Sequence, residues 1–450
     1  MAKILSGRRA GFVLALMLCD GALVAMRAFA VGVESGAAGV LVKVPEGSVV
    51  EESVLPAPPV FLRNLKETVS AYKARVKCVE SEGMFMDTVS INFHDYGMVA
   101  VARWNEGFEE INAAVELGAK YIRTSKPAEA RRHLAEIVAR RTRPVKAAEF
   151  RIRDPFVLVD PATKTYFLYE TTSPYLGKPY ARGVSVRTSK DLVTWSPPRK
   201  VQEAPLDFHA KTQWAPEVYR YGDGYLMFAS LAKHPEGARK IKLFGEDQGK
   251  PVSEWWHTND RGVWVYRSAS PLGPFLSVSD RQITPKDWLA IDGTLWIQDG
   301  KPYMVFCHEG VQTGNGEMCL AEMASDFTRF VSGIKVLFRA MDVPGGSRVT
   351  DGPWIFRSEK SGRLFMTWSN FVSGSGYSVI LAESSSGDVR GPWTNQHVIY
   401  GKNGGHGMLF KTFDGKLKFA LHYPEKRGFE HLRLLDATDT GDDLMLTETD

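Results

Sequence analysis

Residues 350–357 read TDGPWIFR. A carboxylate, Asp351, opens what reads as a buried apolar strand. Asp-Gly is an ordinary turn pair, so this stretch alone calls for nothing beyond a turn. What decides the fold is that the pattern returns. RDPFVLVD (153–160), WAPEVYRY (214–221), IDGTLWIQ (291–298) and GHGMLFKT (405–412) have the same build: a polar or turn-forming opener, then an apolar run.

Each run is followed by a short turn (DPATK, GDG, DG, SEKSG, FDG) and a second apolar run: TYFLYE, GYLMFAS, PYMVFCHE, RLFMTWS and LKFALH. These are hairpin signals. A third run follows in each unit: ARGVSVRTS, GVWVYRSA, MCLAEMAS, YSVILAES and FEHLRLLD. Five antiparallel units of roughly 55 to 77 residues predict an all-β fold, a five-bladed β-propeller over residues 151–436, with 437–450 as a tail. In a propeller the innermost strands converge on one axis. The openers would then bring Asp154, Glu217, Asp292, Asp351 and His406 to one mouth, all at a common register.

The rest of the chain is of a different character. Residues 1–30 carry Lys3, Arg8 and Arg9, an apolar run from Phe12 to Cys19, and Ala28-Phe29-Ala30. This is signal-peptide grammar, interrupted by Asp20 and Arg27, and it predicts a secreted or periplasmic protein. Residues 31–150 read as a linker and a mixed, partly helical accessory segment. Helical periodicity marks 61–81, 105–118 and 125–140, the last with Ser125 as a candidate cap and Pro127 in its first turn.

Composition narrows the function classes. The net charge is +4, from 56 basic and 52 acidic residues, with no basic stripe, so nucleic acid is not an expected partner. No apolar run is long enough for a membrane-spanning helix. Four cysteines without a Cys-x-x-Cys pair indicate neither a disulfide scaffold nor a zinc site, although Cys307 and Cys319 could lie on neighbouring strands. The chain is expected to act as a monomer.

Converging carboxylates repel, and their proton affinities separate. One can then protonate a leaving oxygen while another activates water or attacks directly, the division of labour that glycosidic cleavage needs. No cofactor is called for. A structural calcium ion low in the funnel, near His406, is the other use of such a cluster.

The set Arg153-Asp154-Pro155, Trp214-Ala215-Pro216-Glu217, Ile291-Asp292-Gly293 and Asp351-Gly352-Pro353 resembles that of glycoside hydrolase family 43, the clan of arabinanases, arabinofuranosidases and β-xylosidases. The resemblance implies an inverting hydrolase of terminal α-L-arabinofuranosyl or β-D-xylosyl residues on plant-type polysaccharide. It implies Asp154 as general base and Asp292 as the pKa-modulating residue, although Gly293 stands where a proline is usual. It places Asp351 where the family has its general acid, normally a glutamate. His406 matches a histidine near the axis that sometimes holds a metal in relatives.

The shorter carboxylate leaves a competing acid, Glu309, which ends the second strand of the third unit beside His308. It also leaves two other readings open: an exo-hydrolase for another sugar such as β-galactosyl, and a non-catalytic glycan-binding propeller. Arg153, Trp214, Glu217, His308 and Arg348 are further candidates for lining the cleft. So is Trp255, in the polar insertion 231–260, which reads as a rim loop.

Overall fold

The computed structural model describes residues 121–171, 183–202, 210–233, 260–426 and 428–448, with shorter stretches elsewhere. Five four-stranded antiparallel sheets follow one another along the chain, each from its own stretch of sequence. Their inner strands are Phe156–Asp160, Ala210–Tyr221, Ala290–Gln298, Asp351–Arg357 and Gly405–Lys411, and these neighbour one another around the axis. The chain is a five-bladed β-propeller. The fifth blade takes Leu444–Glu448 as its outer strand, so the expected tail belongs to the propeller.

The apolar runs are continuous because each blade is covered on both faces. Along Lys301–His308, Met304 and Phe306 pack toward the second blade, while Tyr303, Val305 and Cys307 pack toward the fourth. Side chains alternate by two, and each face has its own core. Each such fully buried side chain contributes roughly 1.5–3 kcal/mol. The same alternation explains why the two neighbouring-strand cysteines stay apart. Cys307 and Cys319 lie on adjacent strands but face opposite cores, and both are buried free thiols.

Among the described residues no strand is exchanged between the first and last blades. Closure runs through side chains and short backbone contacts: Ile152 N–H donates to the Glu430 carbonyl at 3.1 Å, and the His431 ring lies 3.0 Å from the Phe150 carbonyl.

Ahead of the propeller, Val40–Lys43, Val60–Phe61, Cys78–Glu82, Val99–Arg103 and Tyr121–Thr124 form one sheet, in the spatial order first, fifth, fourth, third, second. Its last four strands are parallel and its first is antiparallel. Part of the expected linker is therefore an edge strand, and the end of the expected 61–81 helix is the strand Cys78–Glu82. The helix expected at 125–140 is present as Pro127–Thr142, burying Ala130, Leu134 and Ile137 on one face. Its cap position is Lys126 rather than Ser125. Within the expected 105–118 helix, positions 108, 111, 112 and 115 are helical. The candidate leader and Trp255 lie outside the described residues. Among the described residues no helix is long and apolar enough to cross a membrane.

Candidate active site

The five openers do not share one register. One residue at each inner-strand start has a left-handed backbone: Asp154 (φ 50°), Ala215 (46°), Asp292 (56°), Gly352 (50°) and His406 (49°). The pairing to the second strand slips there in every blade: between Arg153 and Phe156, Trp214 and Glu217, Ile291 and Thr294, Asp351 and Trp354, and Gly405 and Met408. Such a bulge re-aims side chains. Asp154, Asp292 and His406 occupy the left-handed position. Asp351 stands one residue before it and Glu217 two after, which corrects the common register expected from sequence. Left-handed φ is costly for a residue with a Cβ, and aspartate tolerates it better than most. Gly352 needs no Cβ for a second reason: one would meet the His406 ring at 2.7 Å.

Four of these strained residues are tied down alike. The second strand of one blade presents a side chain that accepts the backbone N–H of the next blade's left-handed residue. Thr171 Oγ1 takes Ala215 (2.9 Å), Ser230 Oγ takes Asp292 (2.8 Å), Ser369 Oγ takes His406 (2.8 Å), and His422 Nδ1 takes Asp154 (3.3 Å). The fifth position, opposite Ile291, is Cys307. A thiol accepts weakly. The Gly352 N–H donates instead to Oδ2 of Asp292, at 3.0 Å.

Asp154 is buried and receives the Thr171 hydroxyl at 2.7 Å, with His406 Nδ1 at 3.2 Å. Burial would raise its pKa, but the charges of His406 and Arg153, with the Thr171 bond, outweigh it and hold the carboxyl below its usual value. Asp292 lies 3.9 Å from the same His406 nitrogen. Burial, then the charge of Asp154, pushes it up to about 8. Asp351 receives the Tyr377 hydroxyl at 3.0 Å. Burial, then the charge of Asp292, pushes it up to about 7. The mouth thus pairs one carboxyl that stays ionised with two that hold protons near neutral pH.

Glu309 does not continue the strand alternation. The strand ends at His308, and Glu309 caps the short helix Gly310–Thr313, where it forms an ion pair with Arg261. Arg261 also lies over the ring of half-buried Trp214, 5.5 Å from its centroid. Burial raises Glu309 and Arg261 opposes the shift.

Several expected cleft residues are engaged within the protein. Arg153 bonds Glu425 (3.0 Å) and Glu430 (2.7 Å). His308 has acceptors on both ring nitrogens, Glu317 at 3.1 Å and Gln312 at 3.0 Å, and stacks on Trp288 at 3.9 Å. Arg153 thus uses one terminal nitrogen, Nη1, for both carboxylates, and both ring nitrogens of His308 have partners. Glu217 is buried under a hydrogen bond from Tyr219, and burial pushes it up to about 8. It lines the axial floor with Asp154, Gly352 and His406, around a cavity of about 10 Å³, the size of one water. The Arg348 carbonyl accepts the Gly316 N–H at 2.9 Å. Among the described residues no group of three His, Cys, Asp or Glu side chains is arranged to hold a metal ion.

Two residues at the site escaped the sequence reading. His422 is fully buried, with Nδ1 on the Asp154 N–H and Nε2 on Glu425 at 2.5 Å. Tyr377 stacks on His422 and bonds Asp351. The available signal was that every second run ends in, or leads directly into, a polar residue, among them Thr171, Ser230, Ser369 and His422.

Residues 142–444 match the family described as glycosyl hydrolases family 43. No curated protein matches the chain. Among solved structures, an endo-arabinase from Bacteroides thetaiotaomicron VPI-5482 is 31% identical with a TM-score of 0.54, covering 64% of this chain and 95% of its own. A thermostable family-43 glycoside hydrolase (20%, TM-score 0.52, 66% and 93% covered) and an α-L-arabinofuranosidase from Lactobacillus brevis (17%, TM-score 0.50, 67% and 97%) share the fold. With a propeller mouth of this build and a family match over most of its length, the chain belongs to glycoside hydrolase family 43.

Proposed function

We propose that the protein hydrolyses arabinofuranosyl linkages with inversion, using Asp154 as general base, Asp351 as general acid and Asp292 as the residue that keeps Asp351 protonated. One observation carries this reading: Asp154 is held ionised while burial and Asp292 keep Asp351 neutral up to about 7. A base must be charged and an acid protonated at the same pH. Asp351 is favoured over Glu309 because Glu309 already faces a cation, Arg261. Glu309 acts through its charge, which raises both Asp292 and Asp351.

His406 is a positioning group in this scheme. Its Nδ1–H faces Asp154, and its backbone is pinned by Ser369. Terminal arabinofuranosyl or xylosyl units are the substrate read from sequence. Cleavage of internal arabinan linkages is the second reading, favoured by the 31% identity to the Bacteroides endo-arabinase. A polysaccharide substrate lies outside the cell, and residues 1–30 would then serve as the export leader.

The test is a panel of nitrophenyl arabinofuranosides and xylosides beside linear arabinan, with wild type, Asp154→Ala, Asp351→Ala and Glu309→Ala. Proton NMR of the first-formed sugar reads the anomer. Loss with Asp154→Ala, and rescue of Asp351→Ala by a good leaving group, are expected. Retention of configuration, or full activity without Asp154, overturns the reading.

A further inference from the structure

The acid and the base are linked by one side chain that the catalytic scheme does not use. Tyr377 lies on the third strand of the fourth blade, Gly376–Ser384, and is 1% exposed. Its hydroxyl is 3.0 Å from Oδ2 of Asp351. Its ring stacks on His422, with centroids 5.5 Å apart and planes 14° from parallel. His422 in turn accepts the Asp154 backbone N–H. Gly405 lies flat against the ring, since a Cβ there would meet Tyr377 Cε1 at 2.7 Å. Phe371 packs at 4.9 Å. The ring is therefore clamped, and its hydroxyl has a fixed direction.

We propose that Tyr377 is a positioning residue of the proposed hydrolysis. Its hydroxyl sets the orientation and proton affinity of Asp351, and its ring holds His422 against the backbone of Asp154.

This rests on the reading of Asp351 as the acid. The chemistry follows from the direction of the bond. Burial and the charge of Asp351 keep the phenol far above its usual pKa, so Tyr377 stays a donor throughout the working range. A donor favours the ionised carboxylate. It opposes burial, Asp292 and Glu309, which raise Asp351, and acts in the same sense as His406. The Cys307 thiol is a further titratable group near Asp351, itself raised by burial and by the carboxylates. Tyr377 thus keeps the acid from becoming too weak to release its proton, while the carboxylate left after proton transfer regains a hydrogen bond.

The experiment compares wild type with Tyr377→Phe in two ways. One is the pH profile of kcat/KM on an arabinofuranoside. The other is the titration of Asp351 by carboxyl-carbon NMR, assigned with Asp351→Asn, which needs no turnover. Removing the hydroxyl is expected to move the basic limb and the NMR midpoint up together by about one pH unit, and to leave the acidic limb of Asp154 in place. A purely packing role predicts lower activity with both limbs unmoved, and that result overturns the proposal. Should Tyr377→Phe fail to fold, Tyr377→Gln against Tyr377→Leu makes the same comparison, since only glutamine keeps a donor. If wild type cleaves no arabinoside or xyloside, the hydrolase reading fails, and the NMR midpoint alone decides the role of Tyr377.

Discussion

The backbone N–H of Asp154 donates to Nδ1 of His422 across 3.3 Å, joining the last blade to the first at the residue proposed as base. Nδ1 accepts, so the ring proton sits on Nε2 and faces Glu425, which also holds Arg153. A link normally made by a shared sheet in propellers with exchanged strands is made here by side chains. Fold closure and catalytic alignment are therefore one structure. His422→Leu leaves the Asp154 N–H without a partner and Glu425 with Arg153 alone, at a cost of about 1–3 kcal/mol for an unsatisfied buried group. Melting temperature and kcat are expected to fall together. His422→Gln, whose carbonyl can accept, is expected to recover part of both. Equal losses in the two variants would argue against this role.

Asp154→Asn keeps the shape of the base and removes its charge. The expected loss in kcat is about 10²–10⁴-fold, the range for a positioned general base. External azide or formate, small enough to act from the vacated side, is expected to restore some turnover in Asp154→Ala but not in wild type. Steady-state assays with and without added anion check this.

The raised carboxyls make stability depend on pH with a definite sign. Asp292 and Glu217 are pushed up to about 8 in the folded chain. Unfolded, they titrate near the ordinary 3.8 and 4.5. A group with a raised folded pKa contributes its full stability below the unfolded value and loses it as pH rises through the folded value. Wild type is expected to lose stability between about pH 4 and pH 8 from these groups. Asp292→Asn cannot ionise, so its melting temperature is expected to exceed wild type by a margin that grows over that window and levels off above it. Melting curves across the range read the margin. A constant offset would mean that Asp292 is not buried as a neutral acid.

The blades were legible in the sequence because each hairpin announces itself twice, by its turn residues and by the apolar runs around them. Asp154, Asp292 and His406 were legible as convergent for the same reason. The register was not. Asp351 and Glu217 are also charged openers, but the bulge counts from the left-handed residue, which is an alanine in the second blade and a glycine in the fourth. The hydrogen-bonded ring was hidden differently. Its partners lie 44, 62, 37 and 268 residues apart, and half of each bond is a backbone N–H, which every residue but proline carries. The pairing of Glu309 with Arg261 likewise joins two blades. The parallel sheet over Val60–Thr124 escaped because its strands are two to five residues long and carry no strong alternation.

The break in that ring yields the sharpest test of Asp292. Four blades supply an oxygen or nitrogen acceptor to the next blade, and the third supplies the Cys307 thiol. The Gly352 N–H therefore bonds Asp292 and stabilises its ionised form. Cys307→Ser places a competing hydroxyl at the equivalent of Ser230 and Ser369. If it captures the Gly352 N–H, Asp292 loses a bond that favours its charge, and its pKa rises further. Asp292 and Asp351 titrate as a coupled pair, so the effect is read as an upward move of the pair's upper apparent pKa and of the basic limb of kcat/KM. Cys307→Ala supplies no acceptor and is expected to leave that limb in place, with a small loss of stability from the cavity. Serine and alanine therefore separate hydrogen-bond competition from packing. Matching limbs in the two variants would show that the Gly352–Asp292 bond does not depend on the thiol.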